Sequence, residues 1–335
     1  MKVTIKDIAK TAGISYSSVS RALNGLKGVS EQTRQKVKQI AKEMEYTPNA
    51  VARGLVQKQT GTLGLILPDI TNPFYPELAR GVEERASQAG YHTFLCNTNY
   101  NLTKEASYLQ NLLEKRVDGI ILAPISSQSN LLEQRKHMPI PCVYLGNTPK
   151  NTSHSFVITD NIRGGYLAAR TLIEKGSHRI GFISGSDEKS AVGERFTGFK
   201  EAMRRYNLEI KDQYIRLENW RLKSGYEIIK QMIDSGDYPD AVIAGNDILA
   251  MGILQGIKEK KLEIPKDIAV IGFDDIPSAS WPEISLSTIR QPKIQMGELA
   301  VEILLEQFRS EKKELIAEKT SKIILDPELI LRGTC

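Results

Sequence analysis

Residues 3–25 read VTIKDIAKTAGISYSSVSRALNG. Thr4 and Asp7, a hydroxyl with a carboxylate three positions on, make a capping box that satisfies orphan N–H groups at a helix start. Ile5, Ile8, Ala9 and Ala12 then recur with helical spacing. Gly13 ends that helix, because a residue without Cβ takes a positive φ cheaply. Ser15 precedes a second helix, Tyr16 to about Asn24, with Val19, Ala22 and Leu23 inward, and Asn24-Gly25 stops it. Ser30 caps a third, in which Val37, Ile40, Ala41 and Met44 share one face. Arg34, Lys36, Lys38 and Lys42 take its other positions. Small Ala9 permits a close crossing, Gly13 makes the turn and Val19 fills the gap, which is helix-turn-helix spacing. The second helix exposes Tyr16, Ser17, Ser18, Ser20 and Arg21, side chains of the kinds that contact phosphates and base edges. By spacing alone, a plain three-helix bundle fits as well.

Charge separates this head from the rest. Residues 1–60 hold eleven Lys/Arg against four Asp/Glu, a net +7, and the remainder of the chain is −2. A basic head on a near-neutral body suggests a polyanion-binding module attached to something else. The chain has 335 residues, enough for two or three domains, with 41 % apolar and 25 % charged residues, a globular composition. No apolar run approaches the ~18 residues that span a bilayer, and the N-terminus shows no signal-peptide core. Cys96, Cys142 and Cys335 are too scattered for a disulfide framework or a zinc ribbon. A cytoplasmic protein without membrane association is expected.

From Thr62 on, β-branched runs alternate with amphipathic helices. Strands are expected at Leu63–Leu67, Thr93–Cys96, Gly119–Leu122, Cys142–Leu145 and Val157–Thr159. A second series follows at Ile180–Ile183, Ala241–Ala244, Ala269–Gly272 and Leu286–Ile289. Helices lie between most of them, for example Glu77–Ala89 and Lys104–Lys115. Such alternation means parallel sheets covered by helices, here twice over, with a cleft between two similar subdomains. Ligands bind beyond the carboxyl ends of such strands. Asp69–Phe74, Asn147, Ser184–Asp187, Asn246–Asp247 and Asp274–Asp275 occupy those ends. Of these, Asp69, like Asp160, is read first as structural. Asn72, Phe74, Arg195, Trp220, Asn246 and Asp274 together suit a polyol, which needs in-plane hydrogen bonds and an aromatic face. No phosphate loop, zinc-protease helix or nucleophile elbow occurs, and His92, His137, His154 and His178 are dispersed. No catalytic residue, metal ligand or cofactor is therefore assigned.

VTIKDIAKTAGISYSSVSRALNG, VSEQTR (29–34) and YTPNAVARGL (46–55) resemble the lactose-repressor/galactose-repressor (LacI/GalR) family of bacterial transcription factors. The resemblance resumes through GLILPDITNPFY (64–75), VDGIILAP (117–124), DNIRGG (160–165), AGNDILAMG (244–252) and IAVIGFDDI (268–276). It implies an N-terminal all-α helix-turn-helix domain plus an α/β periplasmic-binding-protein-like body of two doubly wound parallel-sheet subdomains. The divisions expected are 1–46 for the DNA-binding domain, 47–60 for a hinge and 61–335 for an effector-binding and dimerisation body. Within the body, 61–160 plus 292–322 and 161–291 plus 323–335 form the two subdomains. The expected DNA contacts in the head are Thr4, Tyr16, Ser17, Ser18, Ser20, Arg21, Asn24, Ser30, Thr33 and Arg34.

Thr47-Pro48-Asn49 breaks the third helix, and Ala50–Leu55 is long enough only for a short, Gly54-weakened helix. In the family this hinge helix pairs with its dimer mate in the minor groove. The resemblance puts Leu55 at the wedged leucine, and Asn49, Ala52 and Arg53 beside it. It also implies an effector pocket at Phe74, Arg195, Trp220, Asn246, Asp274 and Gln291, to which strand-end position adds Asn72 and Asn147. The chain stops without a heptad tail, which favours a homodimer over a tetramer. Glu298, Glu302 and Glu306 on one helix oppose docking of a phosphorylated carrier protein. The expected function is a repressor of a carbohydrate-utilisation operon, gated by a sugar and bound to a pseudo-palindromic double-stranded DNA operator. A sugar-binding protein of transport is the alternative, and the basic head counts against it.

Overall fold

The computed structural model describes residues 3–46, 59–126, 131, 140–148, 152–185, 191–309 and 320–335. The hinge residues Asn49, Ala52, Arg53 and Leu55, and Ser186-Asp187, lie outside that set. The chain divides after Gly61 into two compact units, a head and a body. Among the described residues no helix is long and apolar enough to cross a membrane.

The head holds α1 (Ile5–Ala12), α2 (Tyr16–Leu23) and α3 (Glu31–Glu43). Ile8, Val19, Ala22, Val37 and Ala41 form its core. Gly13 has φ 70°, and its N–H donates to the Ala9 carbonyl at 3.0 Å, closing α1 and starting the turn. Ser15 caps α2 by accepting from the Ser18 N–H at 3.1 Å. Ser30 caps α3 by accepting from the Thr33 N–H at 3.2 Å.

Among the described residues the body contains two six-stranded sheets. The first is built from β1 (Thr62–Leu67), β2 (His92–Asn97), β3 (Gly119–Leu122), β4 (Cys142–Leu145), β5 (Ser155–Thr159) and β11 (Lys322–Leu325). Their order is β11-β5-β4-β3-β1-β2, all parallel. The second comprises β6 (Ile180–Gly185), β7 (Ile215–Glu218), β8 (Ala241–Ala244), β9 (Ala269–Asp274), β10 (Ser287–Arg290) and β12 (Glu328–Ile330). It runs β12-β10-β9-β8-β6-β7, antiparallel only between β10 and β12. Helices α4 (Phe74–Gln88), α5 (Leu102–Glu114) and α10 (Lys293–Arg309) belong to the first lobe. Helices α6 (Asn161–Glu174), α7 (Ala191–Arg205), α8 (Leu222–Asp234) and α9 (Asp247–Glu259) belong to the second. Central strands such as Cys142–Leu145 and Ala241–Ala244 are buried throughout, which is why they read as unbroken apolar runs.

Three strands escaped the sequence reading: β7, β11 and β12. All three lie at sheet edges, where one flank meets solvent and IRLE or KIIL need not be apolar throughout. The pairing of Lys322–Leu325 with β5 also corrects a boundary. The chain makes its last crossing between lobes after Leu325, not at residue 322, because this strand completes the first sheet. Helices α4 and α5 begin at Phe74 and Leu102, ahead of the expected Glu77 and Lys104. The Asn101 side chain accepts from the Lys104 N–H at 3.0 Å and so caps α5 earlier.

Each lobe carries helices that cross with backbones in contact, and glycine makes this possible. A Cβ on Gly165 of α6 would overlap the Arg195 carbonyl of α7, and one on Gly198 of α7 would overlap the Ile162 carbonyl of α6. Gly81 with Gly297 does the same for α4 and α10, and Gly225 with Gly252 for α8 and α9. The α6–α7 crossing sets where Arg195 stands. Gly165→Ala is expected to destabilise the body by about 1–3 kcal/mol, the usual cost of overpacking, read as a lower urea midpoint for its unfolding.

Candidate functional sites

In the head, Tyr16, Ser17 and Arg21 are exposed along α2, Tyr16 with 55 % of its surface accessible. Ser18 and Ser20 are half-buried; the Ser18 hydroxyl lies 2.9 Å from that of Ser15, and Ser20 receives Asn24 Nδ2 at 3.4 Å. The Thr4 N–H and hydroxyl donate to the Asp7 carboxylate at 2.9 and 2.7 Å. These bonds hold the Asp7 carboxyl below its usual range. The Ser30 and Thr33 hydroxyls are 2.8 Å apart at the start of α3. Arg34 is used differently from the exposed arginine that its position suggested. Its guanidinium donates to the Leu26 carbonyl at 3.1 Å and the Ala22 carbonyl at 3.5 Å, and pairs with Glu31 at 3.3 Å. It thus braces the loop that follows α2.

In the body, the strand order of each sheet reverses at a switch point, between β1 and β3 in one and between β6 and β8 in the other. Crevices open at such points because neighbouring loops depart to opposite faces. One cavity of about 670 Å³ of empty space, part of it open to solvent, lies at the strand ends. It is lined by all eight expected residues: Asn72, Phe74 and Asn147 from the first lobe; Arg195, Trp220, Asn246, Asp274 and Gln291 from the second and its exit.

Three of these residues do double duty. Asn72 Oδ1 accepts from the Phe74 N–H at 3.1 Å, Asn147 Oδ1 from Thr148 at 2.9 Å, and Asn246 Oδ1 from Leu249 at 2.8 Å. Each amide spends its oxygen on local backbone, which leaves its NH2 as the end available to the cavity. Arg195 is buried, its Nε donating to Asn161 Oδ1 at 2.9 Å and a second nitrogen to the Gly245 carbonyl. Its guanidinium carbon stands 3.6 Å from the centroid of the Phe273 ring. Asn161 is itself oriented by donating to the Thr159 carbonyl at 3.1 Å and to Glu194 at 3.0 Å.

The acceptors balance these donors. Gln291 Nε2 donates to Asp274 Oδ1 at 2.7 Å, leaving the second carboxylate oxygen and the Gln291 carbonyl as acceptors. Burial pushes the Asp274 carboxyl up to about 6, against the opposing pull of Arg195, Gln291 and Lys293. Behind it, Asp247 accepts from the Thr288 hydroxyl at 2.6 Å and the Ile276 N–H at 2.8 Å. Burial and the Asp274 charge push that carboxyl up too. Trp220 lies against the end of β6, where a Cβ on Gly185 would meet the indole at 2.5 Å.

Tyr75 and Tyr100 also line the cavity and were missed, as were Ala123, Pro124 and Ile125. Burial raises the Tyr75 phenol well above its usual range, and burial with the Asp69 charge takes Tyr100 to about 12. Both keep their protons at neutral pH. The strand-end rule, applied to the loops after β2 and β3, would have found Tyr100 and Pro124. Two expected structural roles hold: Asp69 accepts from the Thr71 N–H at 2.9 Å, and Asp160 caps α6 by accepting from Arg163 at 2.8 Å.

Residues 4–49 match the family model described as bacterial regulatory proteins, lacI family. Residues 60–322 match that of periplasmic binding proteins and the sugar-binding domain of the LacI family. The ribose operon repressor of Escherichia coli (strain K12) is 36 % identical over 332 residues, covering 99 % of both chains. A structure of the lac repressor dimer bound to operator and the anti-inducer ONPF superimposes with a TM-score of 0.86 at 27 % identity, covering 100 % of this chain and 99 % of that one. A LacI-family regulator from Enterococcus faecium with bound ribose gives 0.70 at 30 % identity, over 82 % of this chain and 98 % of that one. The chain therefore belongs to the LacI family: it is a DNA-binding transcriptional regulator with an effector-binding body, and not an enzyme.

Proposed function

We propose that this regulator acts in the cytoplasm as a homodimeric repressor of a carbohydrate-utilisation operon, and that its effector is a small, uncharged sugar held in the cleft. The carrying observation is the polar pattern of the cavity. Amide and guanidinium donors face the acceptors of Asp274 and Gln291, with Phe74 and Trp220 as apolar plates. A sugar hydroxyl donates and accepts at once, so a lining of mixed polarity suits it. The described lining carries one cation, Arg195, and one anion, Asp274, which balance without an ionic ligand. The ribose of the E. faecium structure and the ribose operon of the E. coli repressor are consistent with a pentose. Dimer formation is supported by exposed apolar side chains along the edge strand β2, where Phe94 and Leu95 show 50 % and 46 % exposure. A second copy that covers them removes an aggregation-prone edge. The basic head, absent from transport proteins that share only the body fold, argues against the solute-carrier alternative.

Calorimetry with a panel of pentoses, hexoses and disaccharides tests the pocket. Asp274→Ala and Arg195→Ala are each expected to weaken binding of the cognate sugar by about 1–3 kcal/mol or more, since a buried polar partner is left unpaired. Both variants should keep operator affinity. Equal sugar affinity in parent and variants would misplace the pocket.

Sugar binding is also expected to depend on pH. Asp274 titrates near 6 in the empty cleft, and a sugar hydroxyl donates to its ionised form. Affinity should be constant above that value and fall by about tenfold at pH 5, with proton release on binding. Titrations in two buffers of different ionisation enthalpy measure the released proton; none at pH 5 would refute the assignment.

For DNA, α2 is expected to enter the major groove, with two copies on half-sites about one turn apart. Arg21→Ala should cost about 1–3 kcal/mol on an operator selected from a random pool by the parent protein. Footprinting that reveals one asymmetric half-site would remove the dimer.

A further inference from the structure

The turn that carries Asp274 is strained. Asp274 has φ 120° and Asp275 φ 52°, so two consecutive residues with side chains sit where glycine is normally found. Such a conformation persists only when its surroundings hold it. The Asp275 carboxylate is gripped by Arg290 and Arg332, each at 2.7 Å, and the Ile276 N–H by Asp247. The two carbonyls that the turn displaces, those of Asp274 and Asp275, both accept from Lys293 Nζ at 2.6 Å.

Lys293 is the first residue of α10, two positions past the pocket residue Gln291, where the chain passes from the second lobe to the first. Only 7 % of it is exposed. Its remaining contact is Glu77 Oε2 on α4, at 2.9 Å. An ammonium has three N–H donors, and these three acceptors account for them. Glu77 and Lys293 belong to one lobe, where α4 and α10 are locked by the Gly81–Gly297 crossing. The carbonyls belong to the other.

We infer that Lys293 is a positioning residue of the effector cleft: anchored on Glu77 of the first lobe, its ammonium holds the Asp274–Asp275 turn of the second and ties the aim of the Asp274 carboxylate to the angle between the lobes. The importance of that aim rests on the reading of the cleft as the effector site. Rotation of one lobe against the other moves the ammonium relative to the carbonyls. The turn must then follow or relax, so a ligand on Asp274 and the lobe angle bias each other reciprocally.

The test is amide hydrogen exchange on the full chain without ligand, followed by calorimetry with D-ribose. In Lys293→Met the amides of Asp275 and Ile276 should exchange about tenfold faster or more, while those of Ile183 in β6 and Ile243 in β8 keep the parent rate. Lys293→Arg, whose planar fork retains charge but not the tetrahedral placement, should restore part of the protection. Glu77→Leu keeps both carbonyl bonds and loses only the anchor. It should raise exchange at the same two amides by less, and it carries the test if Lys293→Met is not recovered folded. D-ribose affinity should fall in the order parent, Glu77→Leu, Lys293→Met. Unchanged exchange at Asp275 and Ile276, or acceleration spread evenly over both sheets, overturns the inference. If the parent ignores D-ribose while the exchange pattern appears, the pentose reading fails and the hold of Lys293 on the turn stands.

Discussion

A guanidinium and a carboxylate are both buried at the centre of this body, and the site depends on keeping them ionised there. Removing such charges from water costs several kcal/mol each unless hydrogen bonds and an opposite charge compensate. Arg195 donates to the Asn161 side chain and the Gly245 carbonyl and lies over the face of Phe273, and Asp274 accepts from Gln291. These partners come from β9 and α6 and from the segments that follow β8 and β10. Each compensating group is placed by a different part of the second lobe, so the pair can exist only in the assembled fold.

The assembly achieves this with little specialised structure. Asn72, Asn147 and Asn246 satisfy local backbone with one end of an amide and offer the other to the cavity. Residues that start helices or shape turns therefore also supply the binding chemistry. Because the cavity lies at the switch points of both sheets, the helix starts and turns after the strands converge on it. Backbone-to-backbone crossings at paired glycines set the helix positions to within the width of a methyl group. Arg195 projects from one of those crossings, which links a packing constraint directly to pocket geometry.

Much of this was legible in the chain alone. The central strands announced themselves because burial on both faces demands apolar residues at every position. The helix-turn-helix was legible because Gly13, Ser15 and Ser30 punctuate it, and punctuation is local chemistry. Edge strands β7, β11 and β12 left no such mark, since their environment depends on which neighbour the sheet lacks. Arg34 looked like an exposed cation within a basic helix; its bonds to the Ala22 and Leu26 carbonyls arise only once α3 packs behind α2. Tyr100 lies three positions past the end of β2 and is drawn to the cavity by a turn with positive φ at Asn99 and Tyr100.

What the sequence determined by itself was the element types, their order, the two-lobed plan and the pool of polar residues at strand ends. Each of these follows from periodicity, capping and strand-end position, which act over a few residues. The tertiary structure alone decided that these strand-end groups line one cavity, that Asp274 titrates near 6, and that Lys293 spans the crossing between lobes. Those properties belong to groups separated by up to hundreds of positions along the chain. Desolvation, backbone strain and three-dimensional hydrogen bonding exist only after such groups have been brought together and water has been excluded.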